Sequence, residues 1–338
     1  MFEKFVKEKA LPRYKIDQLY QQFYQSNIDS WDALTTWSLE ERENLKKEIP
    51  FSTLNNFEEF ISKDKRTIKT LSFTKEGYPV ETVLMKSKER NTLCISCMSG
   101  CPVGCKFCAT GQMKFNKPLT SSEIIDQIMY FKRKLNSSKE NITNIIFMGM
   151  GEPMLNLNNV VDAINIIIDP KRIGLGRRRI TVSTVGYIDQ LKKFLDKDLG
   201  VKVAISLHAP TQKLRESLMP TVAKDNTLED LIDLLITYQK KRNKKITYEY
   251  LLLKDVNDTV EHAKELAKLL RNQIALVNLI NFNPSKELPF QPSSRKRIIA
   301  FQEVLDSREI NNTLRYSYGN EINAACGQLA NIKPEASS

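Results

Sequence analysis

Three cysteines within eight residues, Cys101-Pro-Val-Gly-Cys105-Lys-Phe-Cys108, form the segment of this sequence best equipped for chemistry. Thiolates are soft ligands suited to zinc or to iron–sulfur clusters. Three at C-x3-C-x2-C spacing can wrap one cubane and bind all but one of its irons. The remaining iron is then open to a substrate, and an open metal position marks a catalytic site rather than a structural one. Gly100 and Gly104 permit the unusual backbone angles that such wrapping needs. A zinc staple is the competing reading. Structural zinc takes a fourth ligand, which here would be Cys94, Cys97 or a distant group.

Further polar residues fall where a parallel-strand fold would use them. Gly149-Met-Gly-Glu152 follows the apolar run Ile145–Met148, so the backbone can approach a ligand closely beside a carboxylate. Ser183 ends one strand-like run, and Ser206-Leu207-His208 end another. Taken alone, each reads as a strand-end turn residue, and a lone Cys326 beside two alanines reads as a small buried group.

The elements that must position these residues alternate. Strands are expected at 92–96, 143–148, 179–184, 201–206, 246–252, 275–281 and 312–317. Amphipathic helices are expected near 121–135, 158–168, 187–196, 227–242, 259–272 and 293–306. Thr120-Ser-Ser-Glu123 and Ser38-Leu-Glu-Glu41 are capping boxes, and Thr227 is an N-cap. Such alternation implies an α/β fold of parallel strands with right-handed crossovers, a partial (β/α)6 barrel. Its strand C-terminal ends would face the active site. Residues 1–66 read as a small helical accessory domain, 67–86 as a linking β-hairpin turning at Lys75-Glu76-Gly77, 87–319 as the barrel, and 320–338 as a C-terminal segment with a disordered tail.

The 338 residues carry a formal net charge of +11, with a pI near 9.2. This favours polyanions, nucleic acid first. Arg177–Arg179, Lys240–Lys245 and Arg295–Arg297 are candidate phosphate contacts. No run approaches the roughly 18 apolar residues of a spanning helix, and the N-terminus lacks a signal-peptide pattern, so a cytoplasmic protein with reduced thiols is expected.

Cys94-Ile-Ser-Cys-Met-Ser-Gly-Cys-Pro-Val-Gly-Cys-Lys-Phe-Cys-Ala-Thr-Gly111 resembles the RlmN/Cfr family of radical S-adenosylmethionine enzymes, which methylate carbon atoms of RNA adenines. Gly149–Met154, Ser183-Thr184, Ser206–Pro210, Asn281–Pro284 and Asn323–Leu329 match in family order. The resemblance implies a [4Fe-4S] cluster on Cys101, Cys105 and Cys108. It also implies S-adenosylmethionine contacts from Gly151, Glu152, Ser183, Ser206, Leu207, His208 and Asn283. Two S-adenosylmethionine molecules serve each turnover. Cys326 accepts a methyl group from the first. A 5′-deoxyadenosyl radical from the second removes hydrogen from that methyl, which then adds to the adenine. Cys94 resolves the resulting protein–RNA cross-link by forming a disulfide with Cys326. Glu81 matches the proton acceptor, although by itself a Glu in an alternating strand faces solvent.

The implied product is 2-methyladenosine in 23S rRNA and tRNA, made by a monomer with a flavodoxin electron donor. The carbon-8 branch, linked to ribosomal antibiotic resistance, is the alternative, and a non-catalytic zinc-stapled RNA-binding protein is the rival of another class. Cys97 departs from the family pattern, in which Ser-Ser-Gln is usual where Ser96-Cys97-Met98 stands here, and is expected to be inert. Arg315-Tyr-Ser-Tyr-Gly319 is less basic than the usual member.

Overall fold

Short runs rich in Val, Ile and Leu form the strands, and their pairing order fixes the architecture. The computed structural model describes residues 2–285, 288–315 and 318–330. The helices α1 (Phe2–Glu8), α2 (Tyr14–Tyr20) and α3 (Leu39–Glu48) come first. Antiparallel β1 (Leu54–Ile61), β2 (Thr67–Thr74) and β3 (Pro79–Lys86) lead into β4 (Asn91–Ile95). A two-residue pairing, β5 (Met98–Ser99) with β6 (Lys117–Pro118), brackets the cysteine loop and α4 (Ala109–Gln112). Alternation follows: α5 (Ser121–Asn136), β7 (Asn144–Phe147), α6 (Leu157–Ile168), β8 (Ile180–Thr184), α7 (Ile188–Asp196), β9 (Lys202–Ser206), α8 (Gln212–Leu218), α9 (Pro220–Ala223), α10 (Leu228–Arg242), β10 (Ile246–Leu252), α11 (Val260–Leu270), β11 (Ala275–Asn281), α12 (Arg295–Asp306) and β12 (Asn312–Arg315).

Ten strands make one sheet in the order β1-β2-β3-β4-β7-β8-β9-β10-β11-β12. From β4 onward every neighbour is parallel, and each of the six crossovers carries a helix. This is the expected partial barrel, with the hairpin continuing its sheet. Both capping boxes form, and Thr227 accepts from the Asp230 N–H. The two final residues expected in the last strand, and the tail from 331, lie outside the described residues.

The N-terminal part differs from expectation. Residues 54–61 are a strand, not helix, and extend the hairpin to three strands. A register shift between Asn55 and Glu58 breaks the two-residue alternation that would have revealed it. The helices before it are not a separate unit either. Phe23, Trp31, Leu34 and Leu45 belong to the same apolar core as Ile124, Ile128 and Phe131 of α5. Arg133 of α5 lies over the Phe51 ring at 4.6 Å, and its Nε donates to the Ile28 carbonyl at 2.9 Å. His262 completes a capping box with Thr259 and is half-buried. Among the described residues no helix is long and apolar enough to cross a membrane.

Asp126 of α5 fastens the junction between the helical part and β1. Its buried carboxylate accepts from Thr53 Oγ1 (2.6 Å), the Thr53 N–H and Ser52 Oγ (3.2 Å). Asp126→Ala removes the acceptor of these half-buried donors, and is expected to cost about 2 kcal/mol, read as a lower denaturant midpoint. An unchanged midpoint would contradict this role.

Candidate active site

The cysteine loop leaves the C-terminal end of β4 through Gly100, whose φ is +75°. A Cβ there would lie 2.3 Å from the Lys114 carbonyl oxygen, so only glycine fits. Cys101, Cys105 and Cys108 line one cleft of about 890 Å³ with Glu152, Ser183 and Ser206. No three His, Cys, Asp or Glu side chains among the described residues close around a single metal ion. The three sulfurs share the border of one cleft, a set of soft donors suited to an iron–sulfur cluster. Burial pushes the Cys101 thiol up to about 12 and Cys105 well above its usual range, so these sulfurs ionise only against a compensating cation.

On the facing side, Gly151 (φ +100°) approaches β5 so closely that a Cβ would sit 2.5 Å from Met98 Cβ. Glu152 follows, buried, with Oε1 accepting from the Met154 N–H (2.9 Å) and Oε2 from the Val185 N–H (2.8 Å). Burial raises its carboxyl to about 6, against these bonds and one from Thr184. Ser183 and Ser206, at the ends of β8 and β9, hold their hydroxyls 3.2 Å apart. His208 has a left-handed backbone (φ +56°) and accepts at Nδ1 from the Leu251 N–H (3.1 Å). Burial, aided by the charge of Arg215, drives its pKa down to about 3 and keeps the ring neutral; it packs edge-on against Phe107.

Cys326 is exposed, and opens both on this cleft and on an adjoining one that contains Cys94. Its loop is tied to the cysteine loop by the Ala109 N–H to Gly327 carbonyl bond (2.8 Å). Asn283 Nδ2 donates to the Cys326 carbonyl (3.2 Å), and Gln328 Nε2 to the Pro284 carbonyl (2.9 Å). Cys94, on β4 opposite Val83 of β3, is buried, and burial followed by the Cys326 charge pushes its thiol up to about 12.

Three expected site residues stand outside both clefts. Leu207 is fully buried in the main core, Asn283 touches the site only through the Cys326 carbonyl, and Glu81 is buried rather than solvent-facing. The Glu81 carboxylate is ion-paired with Lys69 Nζ at 2.8 Å, on the strand face that further along carries Val83 and Met85 into the Cys94 cleft. Cys97 packs into the core away from Cys94.

Two residues that the sequence reading did not assign also line the cleft. Glu249 of β10 accepts from Asn278 Nδ2 (3.0 Å), and Arg315 of β12 lies 3.9 Å from it and reaches both clefts. A carboxylate inside the aromatic run Tyr248-Glu-Tyr250 was the available signal for Glu249.

The basic runs divide between the two poles of the barrel. Arg177–Arg179 precede β8 and Lys240–Lys245 precede β10, so both lie at the strand N-terminal ends, opposite the site. Only Arg295–Arg297, which follow β11, lie at the site end, and there Arg297 is paired with Asp255 and Asp258. Lys106, Lys213 and Lys254 are exposed cations on segments after strand C-terminal ends.

The burial contrast between Cys326 and Cys94 has a direct readout. With iodoacetamide at pH 8, Cys326 is expected to be alkylated first and Cys94 to stay protected in RNA-free protein, as mapped by peptide mass spectrometry. Equal labelling of the two would contradict the geometry.

Comparison with known proteins gives the family of the chain. Residues 95–270 match the radical SAM superfamily. The chain is 39% identical to the probable dual-specificity RNA methyltransferase RlmN of Dictyoglomus turgidum, across 94% of this chain and 90% of that protein. It is 37% identical to the ribosomal RNA large subunit methyltransferase N of Nitrosopumilus maritimus, across 97% and 95%. A crystal structure of a radical SAM methyltransferase from Sphaerobacter thermophilus superposes with a TM-score of 0.94 at 38% identity, covering 97% of this chain and 96% of that one. Such enzymes work with a [4Fe-4S] cluster and S-adenosylmethionine. The chain belongs to the radical S-adenosylmethionine superfamily and, within it, to the RlmN family of RNA methyltransferases.

Proposed function

We propose that this chain methylates carbon 2 of adenine in 23S rRNA and tRNA, using two S-adenosylmethionine molecules per turnover. The observation that carries the reading is that Cys326 opens on both the cleft of the three-cysteine loop and the cleft of Cys94. The two relatives named above support an RNA substrate of this kind.

In this reading Cys101, Cys105 and Cys108 hold the cluster, which supplies, when bound, the electron that cleaves S-adenosylmethionine. Gly151 gives the cofactor close backbone approach, and the Glu152 carboxylate, fixed by two backbone N–H groups, accepts from its ammonium group. Ser183, Ser206 and neutral His208 line the rest of its cleft, while Leu207 and Asn283 act through backbone and loop position. A thiolate is needed because an adenine ring carbon at this position is not nucleophilic. Cys326, exposed, takes the methyl group and carries it to the base. Cys94, buried beside it, breaks the protein–RNA bond by forming a disulfide with Cys326. Glu81 takes the ring proton, after its pairing with Lys69 loosens.

The protein acts as a cytoplasmic monomer, with a flavodoxin system as electron donor. The target base leaves its stack to reach the clefts. The accessory helices and β1, packed on α5, help to grip folded RNA.

The roles of the two cysteines separate in one experiment. Cys326→Ala is expected to form no covalent RNA adduct, and Cys94→Ala to accumulate it. Equal adduct in both would show the roles to be wrongly divided. Mass spectrometry of nucleosides from RNA treated with the wild type is expected to find 2-methyladenosine; 8-methyladenosine would move the chain to the carbon-8 branch.

The barrel poles give a further expectation. Replacing Lys106, Lys254 and Arg295 with Ala should weaken RNA binding and lower its salt slope by about one unit per lost phosphate contact. The same change at Arg177–Arg179 should do neither. The opposite ranking would mean that RNA wraps the far pole.

A further inference from the structure

Arg215 of α8 is a buried cation that forms no ion pair with a carboxylate among the described residues. The residue is 0% exposed. Its guanidinium donates to the Val185 carbonyl, to the Leu207 carbonyl (3.2 Å) and, more weakly, to the Ser206 carbonyl (3.4 Å). These acceptors end β8 and β9, and all are neutral. Its Nε is buried without a hydrogen-bond partner among the described residues. A buried charge is costly unless an anion compensates it. Cys105 and Glu152 are the acidic groups whose charge, when ionised, acts on Arg215. Both Glu152 oxygens are already engaged by backbone N–H groups, and this carboxylate faces the cofactor cleft.

The cysteine loop rests directly on the segment that carries Arg215. The Lys106 N–H donates to the Leu218 carbonyl (3.0 Å), and a Cβ on Gly104 would lie 3.7 Å from Thr221 Oγ1. Val103, Cys105 and Phe107 pack with Leu218, Met219 and Val222 in one apolar cluster. In such surroundings the field of a fixed cation is weakly screened. A [4Fe-4S] core on three thiolates carries net negative charge, and reduction adds one more. No bond forms or breaks in that step and no proton follows the electron, so only fixed charge offsets it.

We propose that Arg215 is the internal counter-charge of the cluster and raises its reduction potential into the range of the electron donor. Net charge and nearby hydrogen bonds are the levers by which a protein sets that potential. Pinning two strand ends needs donors, not charge, so a structural role and an electrostatic one make different demands on this side chain. The proposal rests on the assignment of Cys101, Cys105 and Cys108 as cluster ligands.

The test uses anaerobically reconstituted full-length protein as wild type, Arg215→Gln and Arg215→Lys. Each is titrated with dithionite and redox mediators, without RNA, and the reduced cluster is read by electron paramagnetic resonance. At the wild-type midpoint, Arg215→Gln is expected to hold at least tenfold less reduced relative to oxidised cluster, about 59 mV lower for one electron. Arg215→Lys keeps the charge but not the forked donor geometry; it is expected to keep the midpoint while melting at lower temperature. A wild-type midpoint in Arg215→Gln overturns the proposal. So does an equal fall in Arg215→Lys, which by itself decides the matter if the glutamine variant does not fold. Failure of the wild type to take up a cluster would instead defeat the ligand assignment, and this proposal with it.

Discussion

One main-chain hydrogen bond, from the Ala109 N–H to the Gly327 carbonyl, joins the two loops that the chemistry must bring together. The first loop carries the three clustered cysteines after the opening barrel strand. The second carries Cys326, beyond the last strand. Thr110 Oγ1 donates to the Leu329 carbonyl beside this bond, and Asn283 and Gln328 fix the same turn from the β11 side. Hydrogen bonds of this kind are individually modest. Their joint effect is to hold an exposed thiol at the rim of two clefts, so that Cys326 opens on the cleft of the three-cysteine loop on one side and on that of Cys94 on the other.

Steric and electrostatic constraints shape the rest of the site. Gly100 and Gly151 occupy positions where any Cβ would collide with backbone or with Met98, so both loops close to a depth that no other residue permits. The charged side chains lining the cleft are Glu152, Glu249 and Arg315. Burial raises Glu152 to about 6 and lowers His208 to about 3. With the imidazole neutral, Arg215 is a buried cation beneath the cysteine loop, and Arg315 is a second cation on the cleft wall. The thiols above it resist ionisation until a metal compensates them.

Much of this was legible in the amino-acid order. The seven parallel strands and their helices fall at the expected positions because each strand is a short apolar run and α5, α10, α11 and α12 each begin at a Ser or Thr cap. The cysteine loop and the strand-end residues were legible for the same reason: chemistry and turn geometry both leave local marks. What stayed hidden depends on contacts distant in sequence. The bulge in β1 disguised a strand as something less regular. Glu81 reads as a solvent-facing residue, yet Lys69, on the neighbouring strand, receives it in a buried pair. Arg215 looks like an ordinary helical arginine until its helix folds beneath the cysteine loop. The far-pole position of Arg177–Arg179 was readable, since the run directly precedes a strand, but counting charge alone conceals which end of a barrel it occupies.

The central claim is that Cys326 is the methyl acceptor in a site built from both loops. Protein produced in cells and isolated without exposure to its RNA can be digested, and the peptide containing Cys326 weighed. The account predicts an added methyl group on the Cys326 sulfur and on no other cysteine, lost when Cys101, Cys105 or Cys108 is replaced so that no cluster forms. An unmodified Cys326 in cluster-loaded protein supplied with S-adenosylmethionine, or a methyl group found on Cys94 instead, would contradict it.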